Sequence, residues 1–273
     1  MKSLALALGS GGARGLAHIV VLEALDDLGV KPVAIAGSSI GALIGAAYAA
    51  GMTGKQIRRT VIDLAHNRGE VYRRLIAARA SRLSDLIGDI ANVTLVDPEK
   101  FCEQFLPADI PDDFDELRIP LTVMASDLYA RTELAITSGS LRSAIAASIA
   151  LPGLTRPVVR DGRVYVDGGA TNPLPFDQLR GKADIIMACD ISGAPTSERT
   201  ELPSTIESLY ATVLVMTSTI TAAKLRDGAP DIVLTPKVGI FRALDFFAAS
   251  AILRVAEPLR DEIRARLAAA GVL

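Results

Sequence analysis

Covalent chemistry is first suggested by the pentapeptide GSSIG at residues 37–41, a G-x-S-x-G pattern. The β-branched, apolar run before it predicts a strand, and the alanine-rich run after it predicts a helix. A serine in such a turn is typical of a nucleophile elbow, because the glycines remove Cβ atoms that would clash there. Ser39 is therefore the candidate nucleophile, and N–H groups at the helix start would face an oxyanion. The alternative is that Ser38 is an ordinary helix cap.

A serine hydroxyl is a weak nucleophile and needs a base, which is most often a histidine. The chain has two histidines, His18 and His66, and His66 follows Ser39 too closely for the Ser–acid–His order of α/β-hydrolases. His18 lies in an apolar helical run, with Asp26 and Asp27 about 12 Å further along that helix. We therefore disfavour a histidine base and expect His18 to pack near the glycine-rich turn.

If no histidine serves, a carboxylate must act as the base, and Asp167 is the candidate. It ends the predicted strand VYV and precedes Gly168 and Gly169, which permit a sharp turn and the close approach of another backbone. A carboxylate held partly out of water has a raised pKa and is a better base. Taken alone, the tripeptide Asp-Gly-Gly is equally typical of a plain turn.

A glycine-rich loop, GSGGARG at residues 9–15, directly follows the first predicted strand. Such a loop before a helix suggests a nucleotide phosphate site. The dinucleotide spacing fails because Arg14 stands where the third glycine belongs, and the G-K-[ST] ending of a P-loop is missing. The alternative is an oxyanion hole made by N–H groups of the loop, to which Arg14 would add positive charge.

Composition limits the class of protein. Half of the 273 residues are apolar and the net charge is −2, which favours a folded globular protein. No basic tract is interleaved with aromatic residues, so we expect no nucleic-acid partner. Cys102 and Cys189 lack metal-ligand spacing, and we expect both to be buried thiols without a metal.

Predicted strands and helices alternate along the chain. This order predicts an α/β fold, a three-layer α/β/α arrangement around a mainly parallel central sheet. No repeat or linker interrupts it, so we predict a single domain over residues 1–273. The predicted strands are 3–9, 32–38, 119–129, 131–139, 183–192 and 231–238, with a hairpin in 157–169 around Asp161-Gly162; the predicted helices are 16–29, 40–51, 53–65, 140–150, 205–225 and 243–270, the last interrupted near Pro258.

The region from residue 55 to 116 is divided by charge, with a basic half at 55–82 and an acidic half at 85–116. One interpretation is a set of solvated helix faces. The other is a cap or lid segment whose basic half meets anionic head groups.

Two further stretches bear on location. The apolar run in MKSLALALGSGG is shorter than a signal-peptide core, so we interpret it as the first strand and expect a cytoplasmic protein. No uninterrupted apolar run reaches the roughly 20 residues of a membrane span, although the segment from Leu209 comes closest. Residues 239–253 could belong to the core or furnish an acyl-chain site.

Four segments, taken together, resemble the patatin-like phospholipases, in particular the small bacterial members related to the catalytic domain of neuropathy target esterase. They are GSGGARGLAH, GSSIG, AIAASIALPGLTRPV and VDGGATNPLP, and the resemblance runs from Leu4 to about Asp190. The resemblance implies a patatin-like fold. One departure is Ser10, which stands where the family has the first of three glycines.

The resemblance also implies the roles of the site residues. Ser39 would be the nucleophile and Asp167 its only partner, a dyad without histidine. Gly11 and Gly12 would supply oxyanion N–H groups, joined by the N–H of Ile40. No metal or organic cofactor is implied.

The function implied is a lipid acyl hydrolase of the phospholipase A, lysophospholipase or carboxylesterase type, working through an acyl-enzyme. Its partner would be a lipid or acyl-ester substrate, with peripheral contact at the inner membrane face. A thioesterase or acyltransferase using the same dyad remains open. Ser10 leaves open a lipid-binding regulatory module with little turnover. The oligomeric state is not predicted.

Overall fold

The structure is a computed structural model that describes residues 1–79, 96–192 and 202–273. The strands are β1 Leu4–Leu8, β2 Ala34–Ser38, β3 Leu121–Asp127, β4 Thr132–Ile136, β5 Val158–Arg160, β6 Arg163–Asp167, β7 Ile185–Cys189 and β8 Ile232–Leu234. The helices are α1 His18–Asp27, α2 Ile40–Ala49, α3 Gly54–His66, α4 Arg68–Ala77, α5 Pro98–Phe105, α6 Leu141–Ser148, α7 Thr205–Gly228, α8 Ala249–Ala256 and α9 Leu259–Ala270.

A single mixed sheet joins these strands. Strands β3, β2, β1, β7 and β8 pair in parallel in that order, and β4, β5 and β6 add antiparallel pairs beside β3. The predicted α/β class with a mainly parallel sheet is confirmed. Strand β6 pairs with β3 and is joined to β5 by the predicted hairpin turn at Asp161-Gly162. Both turn residues have positive φ.

The two faces of the sheet are packed differently. On β1, Leu4, Leu6 and Leu8 belong to the large core that contains α1 and α2. The alternate residues Ala5 and Ala7 face a smaller cluster formed with Leu174, Phe176 and Leu179. Because small alanines leave room for these larger side chains, both faces are covered and β1 is buried along its whole length.

Strands β2 and β6 meet end to end along one edge of β3. Ser38, the last residue of β2, pairs with Met124, and Asp167, the last residue of β6, pairs with the next residue, Ala125. Strand β4 pairs with residues 123–127 of β3 and therefore occupies the opposite edge. The ends of β2 and β6 must consequently lie side by side, although they are separated by more than 120 residues of chain.

The region predicted as a cap, residues 55–116, contains α3, α4 and α5. Its residues 80–95 lie outside the described residues, so the cap as a whole stays a prediction. Helix α3 begins at a capping box made by Thr53 and Gln56. Glu23 on α1 is buried and pairs with Arg58 on α3 and with Arg260 on α9, which ties α3 to the body of the molecule.

One helix of the described chain, Glu207–Gly228 within α7, is long and apolar enough to cross a membrane by length and composition alone. Only 17% of its most apolar window is buried inside the structure.

Candidate active site

Ser39 occupies a strained turn between β2 and α2. Its backbone has φ 54° and ψ −123°, a conformation that non-glycine residues rarely adopt. A Cβ at Gly41 would lie 2.2 Å from the carbonyl oxygen of Leu8, and one at Gly37 would lie 2.6 Å from Ala42 Cα. Both glycines of the G-x-S-x-G pattern are therefore required by close backbone approach, and the sequence interpretation of a tight strand-to-helix turn is confirmed.

The Ser39 hydroxyl donates a hydrogen bond to Asp167 Oδ2, with an oxygen–oxygen distance of 2.6 Å. The other carboxylate oxygen, Oδ1, accepts the Gly169 N–H at 2.7 Å, which fixes the orientation of the side chain. Asp167 is only 6% exposed, and this burial raises its pKa to about 6, although both hydrogen bonds act in the opposite direction. The carboxylate is therefore a stronger base than an exposed aspartate, and its hydrogen bonds keep Oδ2 directed at the Ser39 hydroxyl.

Neither histidine is placed to act as the base. His18 is fully buried, and its Nε2 lies 2.9 Å from the carbonyl oxygen of Gly9, next to the glycine-rich loop as expected. Burial lowers the pKa of His18 to about 4, so the ring is neutral at physiological pH and Nε2 donates. His66 is exposed at the end of α3.

The glycine-rich loop supplies two backbone donors. Within the described part of the chain, the backbone N–H groups of Gly11 and Gly12 donate to no backbone carbonyl oxygen of another loop. The N–H of Ser10, in contrast, donates to the carbonyl oxygen of Pro173. Gly12 has φ +61°, and a Cβ there would lie 2.2 Å from the carbonyl oxygen of Ala243. Ser10 is not among the residues with positive φ, so a side chain is tolerated at that position. The departure at Ser10 therefore removes neither candidate donor.

Arg14 is placed differently from the loop glycines. Its guanidinium donates to the carbonyl oxygens of Phe241 at 2.8 Å, Ser192 at 2.7 Å and Gly239 at 3.2 Å. Arg14 does not line the cavity that contains Ser39. Two of these bonds hold the loop against the 239–243 segment, part of the stretch for which the sequence left open a core or an acyl-chain role.

The last residue of α6 and the chain just after it contact both members of the pair. The Ser39 N–H donates to Ser148 Oγ at 2.9 Å, and the Asp167 N–H donates to the carbonyl oxygen of Ala150 at 3.0 Å. Ser148 is fully buried. Residues 148–150 therefore fix the backbone positions of both the nucleophile and the carboxylate. Both residues lie in the segment AIAASIALPG, whose pattern alone gives no sign of these hydrogen bonds.

Ser39 and Asp167 line a cavity of about 630 Å³, which also contains Gly11, Gly12 and Ile40 in its wall. This volume is in the range of small-molecule sites. Most of the remaining wall is apolar and comes from α3, α4, α5, α7 and residues 243–247. Both the region predicted as a cap and the 239–253 segment therefore contribute to this wall.

Metal ligands do not gather at the site. Among residues 1–79, 96–192 and 202–273, no group of three His, Cys, Asp or Glu side chains could hold a metal ion.

Comparison with known proteins identifies the family. The sequence model described as patatin-like phospholipase matches residues 6–180, which is more than half of the chain. The chain belongs to the patatin-like phospholipase family. The matched residues include the glycine-rich loop, the serine turn and Asp167. Lipid acyl hydrolysis is the kind of activity associated with this family.

Two sequence relatives agree with this assignment. An uncharacterized NTE family protein of Mycobacterium bovis is 38% identical over 192 residues, which are 70% of this chain and 49% of the relative. The human patatin-like phospholipase domain-containing protein 6 is 29% identical over 211 residues, 76% of this chain and 14% of the relative. This patatin-like chain thus spans at most about half the length of these relatives. The crystal structure of VipD from Legionella pneumophila aligns over 94% of this chain and 67% of VipD, with 14% identity and a TM-score of 0.44.

Proposed function

We propose that this protein is a serine acyl hydrolase that cleaves carboxylic esters of lipids through a Ser39–Asp167 dyad. The observation that carries the proposal is the 2.6 Å hydrogen bond from the Ser39 hydroxyl to a buried carboxylate of raised pKa. Three further features support it: the strained turn at Ser39, two candidate oxyanion donors in the adjacent loop, and an apolar cavity that contains all of these groups.

In the proposed first half-reaction, Ser39 Oγ attacks the ester carbonyl carbon while Asp167 accepts the hydroxyl proton. The oxyanion is stabilised by the N–H groups of Gly11, Gly12 and Ile40, and the last of these is at the first position of α2, where helix N–H groups need outside acceptors. Collapse of the tetrahedral intermediate breaks the C–O bond, and the proton on Asp167 passes to the leaving alcohol. The acyl group stays on Ser39 Oγ.

The second half-reaction repeats this chemistry with water. Asp167 accepts a proton from a water molecule that attacks the acyl carbon, and the new tetrahedral intermediate expels Ser39 Oγ, which takes the proton back. The products are a free fatty acid and the regenerated enzyme. A carboxylate with a pKa of about 6 is deprotonated at neutral pH and is still basic enough to take part in both transfers.

The cavity wall favours an acyl chain as the part of the substrate that is bound. Phe101 and Phe105 of α5 and Leu64 of α3 are among its apolar residues. We infer that α3, α4 and α5 form part of a cap over the acyl chain, within a single domain.

The test uses p-nitrophenyl esters of increasing chain length and a fluorophosphonate that labels nucleophilic serines. Ser39→Ala should abolish labelling and hydrolysis, and Asp167→Asn should lower the rate of hydrolysis by at least about 10³-fold, as removal of a catalytic base does in related chemistry. Ser38→Ala is the matched control for the nucleophile, since the Ser38 hydroxyl is buried and has no hydrogen-bond partner among the described side chains. Asp161→Asn, at the exposed tip of the hairpin that ends at Asp167, is the control for the base.

Retention of labelling and hydrolysis in Ser39→Ala would contradict the proposal. Absence of both in the wild-type chain would favour a lipid-binding module. A thioesterase or acyltransferase would form the same labelled serine, so acyl-thioesters and added acceptor alcohols are included in the substrate panel.

A further inference from the structure

The outer side of α7 is an unusual surface for a helix that faces solvent. No charged residue occurs between Glu207 and Lys224, a run of 16 residues that is about 24 Å long. A helix on the surface of a globular protein normally places charged and polar residues on its outer side. We define the outer face of α7 as its exposed residues in this run, which include Leu209, Ala211, Thr212, Val215, Met216, Thr219, Ala222 and Ala223.

Over part of its length, α7 buries hydroxyl side chains and exposes apolar ones. Thr217 and Thr221 are buried on the side packed against the protein, while Val215 is 66% exposed and Met216 is 59% exposed on the outer face. Exposing such side chains to water is unfavourable in proportion to their apolar area, and packing alone does not require it. Val215 and Met216 therefore leave apolar area exposed on a face that carries no charge.

Salt bridges hold the helix flat on the molecule. Lys224, near its C-terminal end, pairs with Asp177 at 2.6 Å, and Glu207, near its N-terminal end, pairs with Arg242. Because both ends are anchored to the body, the helix lies along the surface with its outer face turned away from it. This arrangement fits a helix in the plane of an interface better than one that crosses a bilayer.

The outer face is continuous with the mouth of the active-site cavity. Leu209 and Met216 are exposed and also line the cavity. Leu244, Phe246 and Phe247 share both properties, and they form the adjoining part of the rim. The guanidinium of Arg68 lies 4.9 Å from the centre of the Phe247 ring, so a cation lies beside this rim.

We propose that the outer face of α7 and the rim formed by Leu244, Phe246 and Phe247 dock on the surface of a phospholipid bilayer. The inference rests partly on the proposed function, because an acyl chain leaving a bilayer can reach Ser39 without crossing water only if the cavity mouth faces lipid. A second protein on this face would cover the mouth. The outer face also lacks the Tyr, Trp and Arg side chains that are enriched at the cores of protein interfaces.

The experiment measures binding without turnover. The full chain carrying Ser39→Ala is mixed with phosphatidylcholine vesicles, and the bound fraction is measured by flotation. Val215→Glu should lower the vesicle affinity at least about tenfold, because it removes an apolar side chain that would enter the bilayer and puts a charge in its place. Val159→Glu is the matched control: Val159 is 69% exposed on β5 and should tolerate the same change without loss of affinity.

A second measurement reports the contact directly. The chain contains no tryptophan, so Val215→Trp introduces a single tryptophan whose emission can be excited selectively. Its emission should shift to the blue with vesicles and be quenched by brominated lipid, while Val159→Trp should show neither effect. Glutamate and tryptophan at 215 have opposite effects on polarity, so a general folding defect cannot produce both results.

The outcomes separate this inference from the proposed function. No vesicle binding by the Ser39→Ala chain, or equal binding by the two glutamate variants, overturns the docking surface even if ester hydrolysis is found. A dimer by light scattering that Val215→Glu dissociates, without vesicle binding, would show that a second copy covers the face. Vesicle binding that Val215→Glu weakens and Val159→Glu does not would support the docking surface. If the wild type also hydrolyses no ester, the same result would contradict the proposed function.

Discussion

Ser39 directly follows the end of β2 and Asp167 ends β6, and these two strand ends lie next to each other on the same edge of β3. Strand β2 ends opposite Met124 and β6 ends opposite Ala125, so the residue that follows β2 and the last residue of β6 meet across the junction. The backbone therefore already places the two side chains within reach of each other. Their choice of rotamer is enough to form the 2.6 Å hydrogen bond between hydroxyl and carboxylate, and no loop has to move. The pair is thus positioned by the ends of two hydrogen-bonded strands.

The pH dependence of turnover should follow the Asp167 carboxyl. Since its pKa is raised to about 6 and the base must be deprotonated, we expect kcat/KM to fall about tenfold for each pH unit below about 6 and to be level above it. The measurement is a rate profile from pH 4.5 to 8.5 with a soluble short-chain ester. His18, with a pKa near 4, does not titrate in this limb. A limb centred near pH 7 would point to a different base.

Asp167 should also make the protein less stable as pH rises. Its pKa is higher in the folded than in the unfolded chain, so the folded state binds more protons between about pH 4 and 6 and loses stability as pH increases through that window. A shift of about two units corresponds to about 3 kcal/mol. Asp167→Asn should thus raise the free energy of unfolding at pH 8 by up to about 3 kcal/mol and change it little at pH 3.5, measured by urea denaturation. A less stable Asp167→Asn at pH 8 contradicts this linkage.

Ser148 is expected to act as a positioning residue for the nucleophile. Ser148→Ala leaves the Ser39 N–H without its acceptor, and the loss of one such bond, about 1.4 kcal/mol, should lower kcat about tenfold while KM stays within twofold. Fluorophosphonate labelling should slow by a similar factor. Ser143→Ala on the same helix is the control, because the Ser143 side chain contacts neither member of the pair. A change confined to thermal stability would assign Ser148 a structural role only.

Gly12 and Gly29 form a matched pair that separates backbone strain from close contact. Both have positive φ, but a Cβ at Gly29 meets nothing within 4 Å, whereas one at Gly12 lies 2.2 Å from Ala243 O. Gly29→Ala should therefore cost about 1–2 kcal/mol of stability and leave turnover unchanged. Gly12→Ala must displace the loop, and we expect at least a 10²-fold loss of kcat, the effect of losing an oxyanion donor. Equal turnover of the two variants would remove the loop from the mechanism.

Arg14 distinguishes a bracing role from an electrostatic one. A lysine keeps the positive charge but cannot reach the three carbonyls that the guanidinium contacts. If Arg14 braces the loop, Arg14→Lys and Arg14→Met should lose turnover to a similar extent, about tenfold, measured with short-chain esters. Near-complete activity in Arg14→Lys and a large loss in Arg14→Met would instead support the sequence expectation that its charge stabilises the oxyanion.

Local features could be predicted from the sequence because their causes are local. The turn at Ser39 follows from glycines on both sides of a serine at a strand-to-helix boundary, and the hairpin at Asp161-Gly162 follows from residues that tolerate positive φ. The alternation of apolar runs and helical periodicity was enough to predict the α/β sheet. The scarcity of histidines was enough to direct attention to a carboxylate.

The partners of these features could not be predicted in the same way, because they are set by distant contacts. Ser148, Ala150 and the 239–243 segment act through a hydroxyl and backbone carbonyls, and nothing in the identity of a residue shows where its carbonyl points. The side of α7 that faces outward was equally hidden, since its apolar and hydroxyl residues leave the helical periodicity weak.

The sequence by itself thus determined which groups are available for chemistry and which turns the chain can make, since both depend on side-chain type and near neighbours. Only the tertiary structure decided that Ser39 and Asp167 meet, that burial raises the Asp167 pKa, and that residues 148–150 hold both backbones. The physical reason is that strand pairing, desolvation and long-range hydrogen bonds depend on distances in space, which residue types and spacing along the chain do not specify.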